Sequence, residues 1–352
     1  MDSTWKAVKG FKPHEFMVYS AYYDVRKTHK PIIRVFGVTG SMNPEKVLCR
    51  LHYHQNKENL ESKIDNNNRD TMNDDESFRD VHGEIKVRRE EAEVMLLRAR
   101  RVLAKKGFVP KKFKSNLYQP CDITCPIHDP KHPRLTNRIP IAVSILPRSS
   151  SGSVIDYKLH VKNSENGGTG TYAATKNEVG LCVKPIHSKY DDWVELISFI
   201  ELNKILGVSK FIVYNESMSE TISCVLKYYD QKQNIVSILP WDLVTKFKNK
   251  NAQVKNRGVV SSLNDCFYRN MNEYQYLFSV DLDEFIIPHM HETIPEMLEY
   301  MQSTDIDYLD RHDRQKYVMN NIQNTTNSNT ITSYNFLNGF FYHHGGTNFT
   351  VV

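Results

Sequence analysis

From about residue 180 onward, short apolar runs alternate with amphipathic stretches, and no other feature of the chain constrains its fold as much. Residues 180–185, 210–215, 235–241 and 276–288 read as strands. Residues 191–206, 219–229, 252–274 and 294–302 have helical spacing, with Asp191 the expected cap of the first helix and Gly207 its stop. Strand and helix in strict alternation imply βαβ units and a mostly parallel sheet. Ligands in such sheets bind beyond the carboxyl ends of the strands.

The last of these runs, YLFSVDLDEFIIP at 276–288, holds the candidate chemistry. Strand side chains alternate faces, so Asp281 and Asp283 are expected on one face, with Leu282 turned into the core. Two carboxylates that close repel unless a cation lies between them. A hard divalent ion that also binds phosphate oxygens, Mn2+ or Mg2+, would satisfy the pair. The alternative is two solvated aspartates in a strand-end turn.

The preceding half has a different grammar. Residues 16–23, 32–38, 46–52, 139–146 and 156–161 read as strands, residues 55–82 as a polar insertion, and residues 84–106 as a helix closed by Gly107. Four segments result: a β-rich region at 1–54, a polar and disordered insertion at 55–83, a helix with further strands at 84–178, and an α/β domain at 179–352.

A net charge of +5 is too mild for a nucleic-acid binder. The one basic run, at 98–114, lacks interleaved aromatics and reads as a solvated helix face and tail. Six cysteines permit disulfides in an oxidising compartment, as do sequons at Asn215, Asn324 and Asn348. Cys121 and Cys125, even with His128 and His132 nearby, lack the spacing of a usual zinc site. No run reaches the ~18 apolar residues of a membrane span, and the start is no signal peptide. The chain is therefore expected to be cytosolic, or to lack an N-terminal targeting segment. Trp193 and Trp241 sit beside apolar patterns and are expected in the core rather than as sugar platforms.

An ordered series of motifs carries a family resemblance: VKPI at 183–186, DWVELI at 192–197, ELNKILGVSKFIVYNES at 201–217, NDCFYR at 264–269 and VDLDEFIIP at 280–288. Together these resemble glycosyltransferase family 92, and YSAYYDVR at 19–26 with CRLH at 49–52 resembles that family's upstream region. The resemblance implies a GT-A fold, a mostly parallel sheet with helices on both faces, preceded by a smaller β-rich region. It implies a UDP-sugar donor, a divalent metal (Mn2+ or Mg2+) at the D-x-D motif, and inverting transfer of galactose to a glycan acceptor on the lumenal side of the Golgi membrane.

By position, Asp281 and Asp283 match the metal and diphosphate motif, with Asp283 nearer the metal and Asp281 nearer the ribose. Glu284 would support them or cap the following turn. Pro185, Tyr214, Asn215 and Ser217 match the strand ends that cradle the nucleotide. Asp265 would bond uracil or sugar and Arg269 a phosphate or carboxylate, unless the two form an i,i+4 salt bridge. His343 and His344 are weighed as a further metal ligand or an exposed loop pair. The general base is not assigned, and it is expected in a C-terminal part beyond Val352. Two other functions fit less of the pattern: a non-catalytic glycan- or nucleotide-binding relative, and a cytosolic metal-dependent phosphohydrolase.

Overall fold

The computed structural model describes residues 4–8, 16–25, 31–40, 47–53, 93–98, 100–103, 117–127, 138–147, 157–164, 178–247 and 253–303. The insertion expected at 55–83 lies outside the described residues. The first half supplies β1 (Lys6–Val8), β2 (Phe16–Asp24), β3 (Ile32–Thr39), β4 (Val47–Tyr53), β5 (Glu93–Arg98), β6 (Arg100–Leu103), β7 (Leu117–Pro126), β8 (Ala142–Pro147) and β9 (Leu159–Lys162). The second half runs β10 (Val179–Ile186), α1 (Trp193–Ile205), β11 (Lys210–Asn215), α2 (Glu220–Gln231), β12 (Val236–Pro240), β13 (Gln253–Val254), α3 (Val259–Asn270), β14 (Tyr276–Phe278) and α4 (Ile294–Ser303).

The first sheet has ten strands in the order β13-β7-β3-β2-β9-β8-β4-β5, with β1 on β2 and β6 on β7. Its pairings are antiparallel except β2 with β9 and β13 with β7. One face is apolar throughout: Val18, Ile33, Val35, Cys49, Leu51, Ile123 and Val143 are all sealed from solvent in one cluster. β4 and β7 are far apart in the sheet order, yet a disulfide joins Cys49 to Cys125 with 5.9 Å between their Cα atoms. The sheet therefore curls back so that its own inner face makes the core.

One expectation changes here. Residues 93–98 and 100–103 are strands, not part of a helix over 84–106. The contiguous apolar run at 94–97 fits either period, and the free edges decide it: β5 pairs antiparallel with β4 and β6 with β7. Nine of the ten strands in the first sheet come from the β-rich region, and the tenth, β13, comes from the α/β half. One of those nine is β7, which sequence patterning passes over because Pro120, Asp122 and Pro126 interrupt it.

The second sheet, β12-β11-β10-β14, is parallel at every pairing. Its strands alternate between two cores, as residues two apart on a strand must. Leu181, Val183, Phe211 and Val213 face α1, α2 and α4, packing on Leu196, Phe199, Ile222, Leu226 and Ile294. Cys182, Ile212 and Tyr214 face the other way, onto α3 and onto Met17, Tyr19 and Val38 of the first sheet.

Local signals set the helix ends. The cap of α1 is Asp192, one residue later than expected, whose carboxylate accepts from Glu195 N at 2.9 Å. Gly207 ends the same segment at φ +92°, where a Cβ would come within 2.8 Å of Pro295. Ser219 caps α2 by accepting from Ile222 N at 3.1 Å. The long helix expected over 252–274 is only α3. Asn256, Arg257 and Gly258 all have positive φ, and no α-helix runs through such a turn.

Trp5, Tyr19, Tyr214 and Trp241 pack edge-on or tilted at centroid separations of 4.8–5.1 Å, locking the two sheets together. A second disulfide, Cys182–Cys266, ties β10 to α3. Trp241 is fully buried as expected, whereas Trp193 is half exposed and is not a core residue. Cys125 is committed to the disulfide with Cys49, and Cys121 is buried on the same strand.

Candidate functional site

β14 ends at Phe278, three residues before Asp281. The carboxylate pair thus sits in a turn beyond the strand, not on one strand face as alternation predicts. Glu284 closes that turn: its carboxylate accepts from Asp281 N at 3.0 Å, and its own N–H donates to Asp281 O at 3.0 Å. Of the two roles weighed for Glu284, this geometry is the cap. Leu282 is half-buried against the core under α1, and Phe285 leans on Phe199 at 5.8 Å. These two apolar contacts anchor the turn and leave Asp283 exposed.

Lys184, near the end of β10, forms a salt bridge with Asp281 Oδ1. Both side chains are partly exposed, so solvent screens the attraction. Among the described residues, no three His, Cys, Asp or Glu side chains cluster closely enough to cage a metal ion. What the turn offers is two hard carboxylates, one of them already facing a cation.

The loops after β10 and β11 are knitted together beside this turn. Ile186 O accepts from both Glu216 N and Ser217 N, and Lys189 N donates to Ser217 Oγ at 3.1 Å. Pro185 is buried at an irregularity of register between Val183 and Ile186. Asn215 is half-buried at the end of β11, and its Oδ1 is buried without a hydrogen-bond partner. Pro185, Asn215 and Ser217 therefore lie together at the carboxyl ends of β10 and β11, with Lys184, Glu216 and Arg257 as neighbours that sequence reasoning did not single out. Arg257 Nη1 donates to Glu216 at 2.7 Å and Nη2 reaches Ser188 Oγ at 3.4 Å. Glu216, one residue past a recognised strand, was within reach of the sequence; Arg257 was not, because an expected helix concealed its turn.

Tyr214, Asp265 and Arg269 are placed elsewhere. Asp265 is completely buried and accepts from Tyr22 at 2.5 Å, Tyr214 at 2.6 Å and Arg269 at 2.8 Å. The i,i+4 salt bridge is the arrangement present. Burial pushes the Asp265 carboxyl up, but the charges of Arg269 and Lys162, helped by the Tyr214 hydrogen bond, outweigh it and hold the group below the usual carboxylate range. Burial and the Asp265 charge together raise both tyrosine hydroxyls, which stay neutral donors. This network joins the two sheets through α3, on the face of the second sheet that turns toward the first. His343, His344, Asn324 and Asn348 lie outside the described residues.

A mixed α/β domain with its polar side chains collected past the ends of parallel strands is the class that fold and geometry define. Residues 177–339 match the family model of glycosyltransferase family 92, the family that the motifs resemble. The curated relatives are from Caenorhabditis elegans. Beta-1,4-galactosyltransferase galt-1 is 28% identical over 129 residues, which is 35% of this chain and 29% of the relative. Glycosyltransferase family 92 protein F13G3.3 is 23% identical over 131 residues, 36% of this chain and 26% of the relative. Protein C33H5.2 of the same family is 25% identical over 130 residues, 35% and 25% of the two chains. The chain's match thus spans less than a third of each relative's length.

Proposed function

We propose that this chain contains the donor-binding part of a metal-dependent, inverting glycosyltransferase with a GT-A fold, moving a hexose, galactose in first place, from a UDP-sugar to a glycan or glycoprotein acceptor. The observation that carries the reading is the match of residues 177–339 to family 92, with Asp281 and Asp283 inside it in the turn after a parallel strand. One of the relatives is named as a beta-1,4-galactosyltransferase, which is the ground for galactose.

The donor set suits Mn2+ or Mg2+, both of which prefer carboxylate oxygen. Asp283 would hold the ion, with Asp281 beside it. A bound ion supplies charge that a departing nucleoside diphosphate needs. The chain's own residues would do the rest of the donor binding: Asn215, Ser217 and the buried Pro185 turn would seat the nucleotide, and Glu284 would hold the metal turn in shape. In the transfer itself, an acceptor hydroxyl oxygen bonds to the anomeric carbon as that carbon's bond to the diphosphate breaks, and the hydroxyl proton leaves to a base.

Two disulfides favour an oxidising compartment, which supports the lumen of the Golgi. No helix among the described residues is long and apolar enough to cross a membrane; membrane attachment is part of the proposal by family alone.

A second reading, a glycan- or nucleotide-binding relative without chemistry, is favoured by the Lys184–Asp281 salt bridge, because an ammonium already neutralises one carboxylate of the pair. Incubation with UDP-galactose, Mn2+ and a panel of glycan acceptors separates the two. Acceptor-dependent UDP release is the expected result. UDP-sugar binding with no release on any acceptor would establish the second reading instead.

A further inference from the structure

Six residues other than glycine have positive φ among the described residues, and four of them, Ser188, Lys189, Asn256 and Arg257, fall in two turns that touch each other. A backbone strained in this way persists only where its surroundings impose it. Here the imposing group is visible. The indole N–H of Trp241, which is fully buried, donates to Arg257 O at 3.0 Å. Gly258, at φ +76°, follows directly, and a Cβ there would meet Leu243 at 2.9 Å. The core thus fixes the backbone from which the Arg257 side chain leaves.

That side chain has two described partners, Glu216 and, at the limit of bonding distance, Ser188. A guanidinium has five N–H donors in a fixed fork. Most of them are left over, on a side chain that is 42% exposed. Its carboxylate partner is the opposite: the Glu216 side chain is only 7% exposed, and its second oxygen is buried with no hydrogen-bond partner. A nearly buried carboxylate that takes one N–H and leaves its other oxygen empty is poor as a salt bridge built for stability. It does hold an arginine in place while leaving the outer side of the fork open. The location is the ligand-binding end of a parallel sheet, beyond β10 and β11. Lys189, next to Ser188 in the facing turn, places a second cation near Arg257.

We propose that Arg257 binds the diphosphate of the nucleotide-sugar donor, held ready by Glu216 and the strained turn. The assignment rests on the donor reading above and adds a residue to it. Phosphate oxygens are natural partners of a guanidinium fork, and two phosphate groups offer several of them to its free N–H bonds. A group engaged with phosphate should matter for UDP and not for uridine.

The test is calorimetric binding of UDP and of uridine to the full chain in the presence of Mn2+. Arg257→Gln is expected to weaken UDP about ten- to hundredfold, while uridine changes by less than about twofold. Arg257→Lys should fall between, since it keeps the charge and loses the fork. Because Arg257→Gln strips Glu216 of its partner, the double variant Glu216→Gln with Arg257→Gln is measured alongside, and it should show the same phosphate-selective loss. Equal losses for UDP and uridine would mean that Arg257 only supports the fold, and would overturn the assignment. So would unchanged UDP affinity in Arg257→Gln, which would leave the donor reading standing. Failure of the wild-type chain to bind UDP at all would overturn both.

Discussion

Replacing Asp265 by asparagine removes one charge from the best-connected buried group among the described residues. Asp265 has no exposed surface, and its partner Arg269 has a side chain only 12% exposed. The neutral amide keeps one acceptor oxygen, so one of the tyrosine bonds, from Tyr22 or Tyr214, can survive. The Arg269 guanidinium then remains buried without its counter-ion, because among its described contacts only Asp265 carries negative charge by ionisation at neutral pH. Breaking a buried pair in this way costs about 3–5 kcal/mol. Loss of one tyrosine hydrogen bond to the ionised carboxylate adds about 1.5–3 kcal/mol. Urea unfolding of the Asp265→Asn variant beside wild type, followed by tryptophan fluorescence, should therefore show a midpoint shift equivalent to at least ~3 kcal/mol with an unchanged slope. The acid limb gives an independent check. A carboxyl held low in the folded state contributes stability that is present above the unfolded carboxyl range and is lost as pH falls through the folded value. The variant should lack that part of the acid dependence. A midpoint shift below ~1 kcal/mol would refute the reasoning, since it would mean that Arg269 finds water or another partner without rearrangement.

Other outcomes follow from the same geometry. Lys184→Met frees Asp281 from its ammonium, and Mn2+ binding, read by electron paramagnetic resonance, should tighten by a few-fold, in keeping with ~0–1 kcal/mol for an exposed pair; unchanged affinity would remove Lys184 from the site. The double variant Cys182→Ala with Cys266→Ala opens a link between residues 84 positions apart and should lose about 2–4 kcal/mol in urea unfolding. His52 is pushed down to about 4 by burial, helped by Lys158 and Arg50, so it is neutral in the fold. A histidine buried neutral opposes folding once the unfolded chain can protonate. Stability should then fall as pH drops from the ordinary value of 6.5 toward 4, and His52→Gln should flatten that slope in a pH series of thermal melts.

The parallel half is legible because each of its elements carries its own local signal. The limits of β11 coincide with the expected 210–215, and α2, marked by the Ser219 cap, closes within two residues of its expected end. The first half is less legible, for a reason that lies in pairing. The run at 94–97 satisfies helix and strand spacing alike, and only the open edge of β4 selects the strand. β7, broken in pattern by its prolines, becomes a strand because β3 pairs with it continuously from Gln119 to Pro126.

For the site, the amino-acid order by itself determined the family-like motif series and the acidic pair within a strand-like run, because those depend on residues close in sequence; that the strand stops at Phe278 and leaves the pair in a turn was decided by the fold. Tertiary structure decided which groups those residues meet. It turned Tyr214 and Asp265 into a buried bridge between sheets, gave Asp281 a lysine partner from β10, and brought Arg257 over Glu216 across 41 positions of chain. Alternation and capping are written in neighbours two to four residues apart, whereas a charge acquires its partner, its burial and its chemistry only when distant strands and loops close around it.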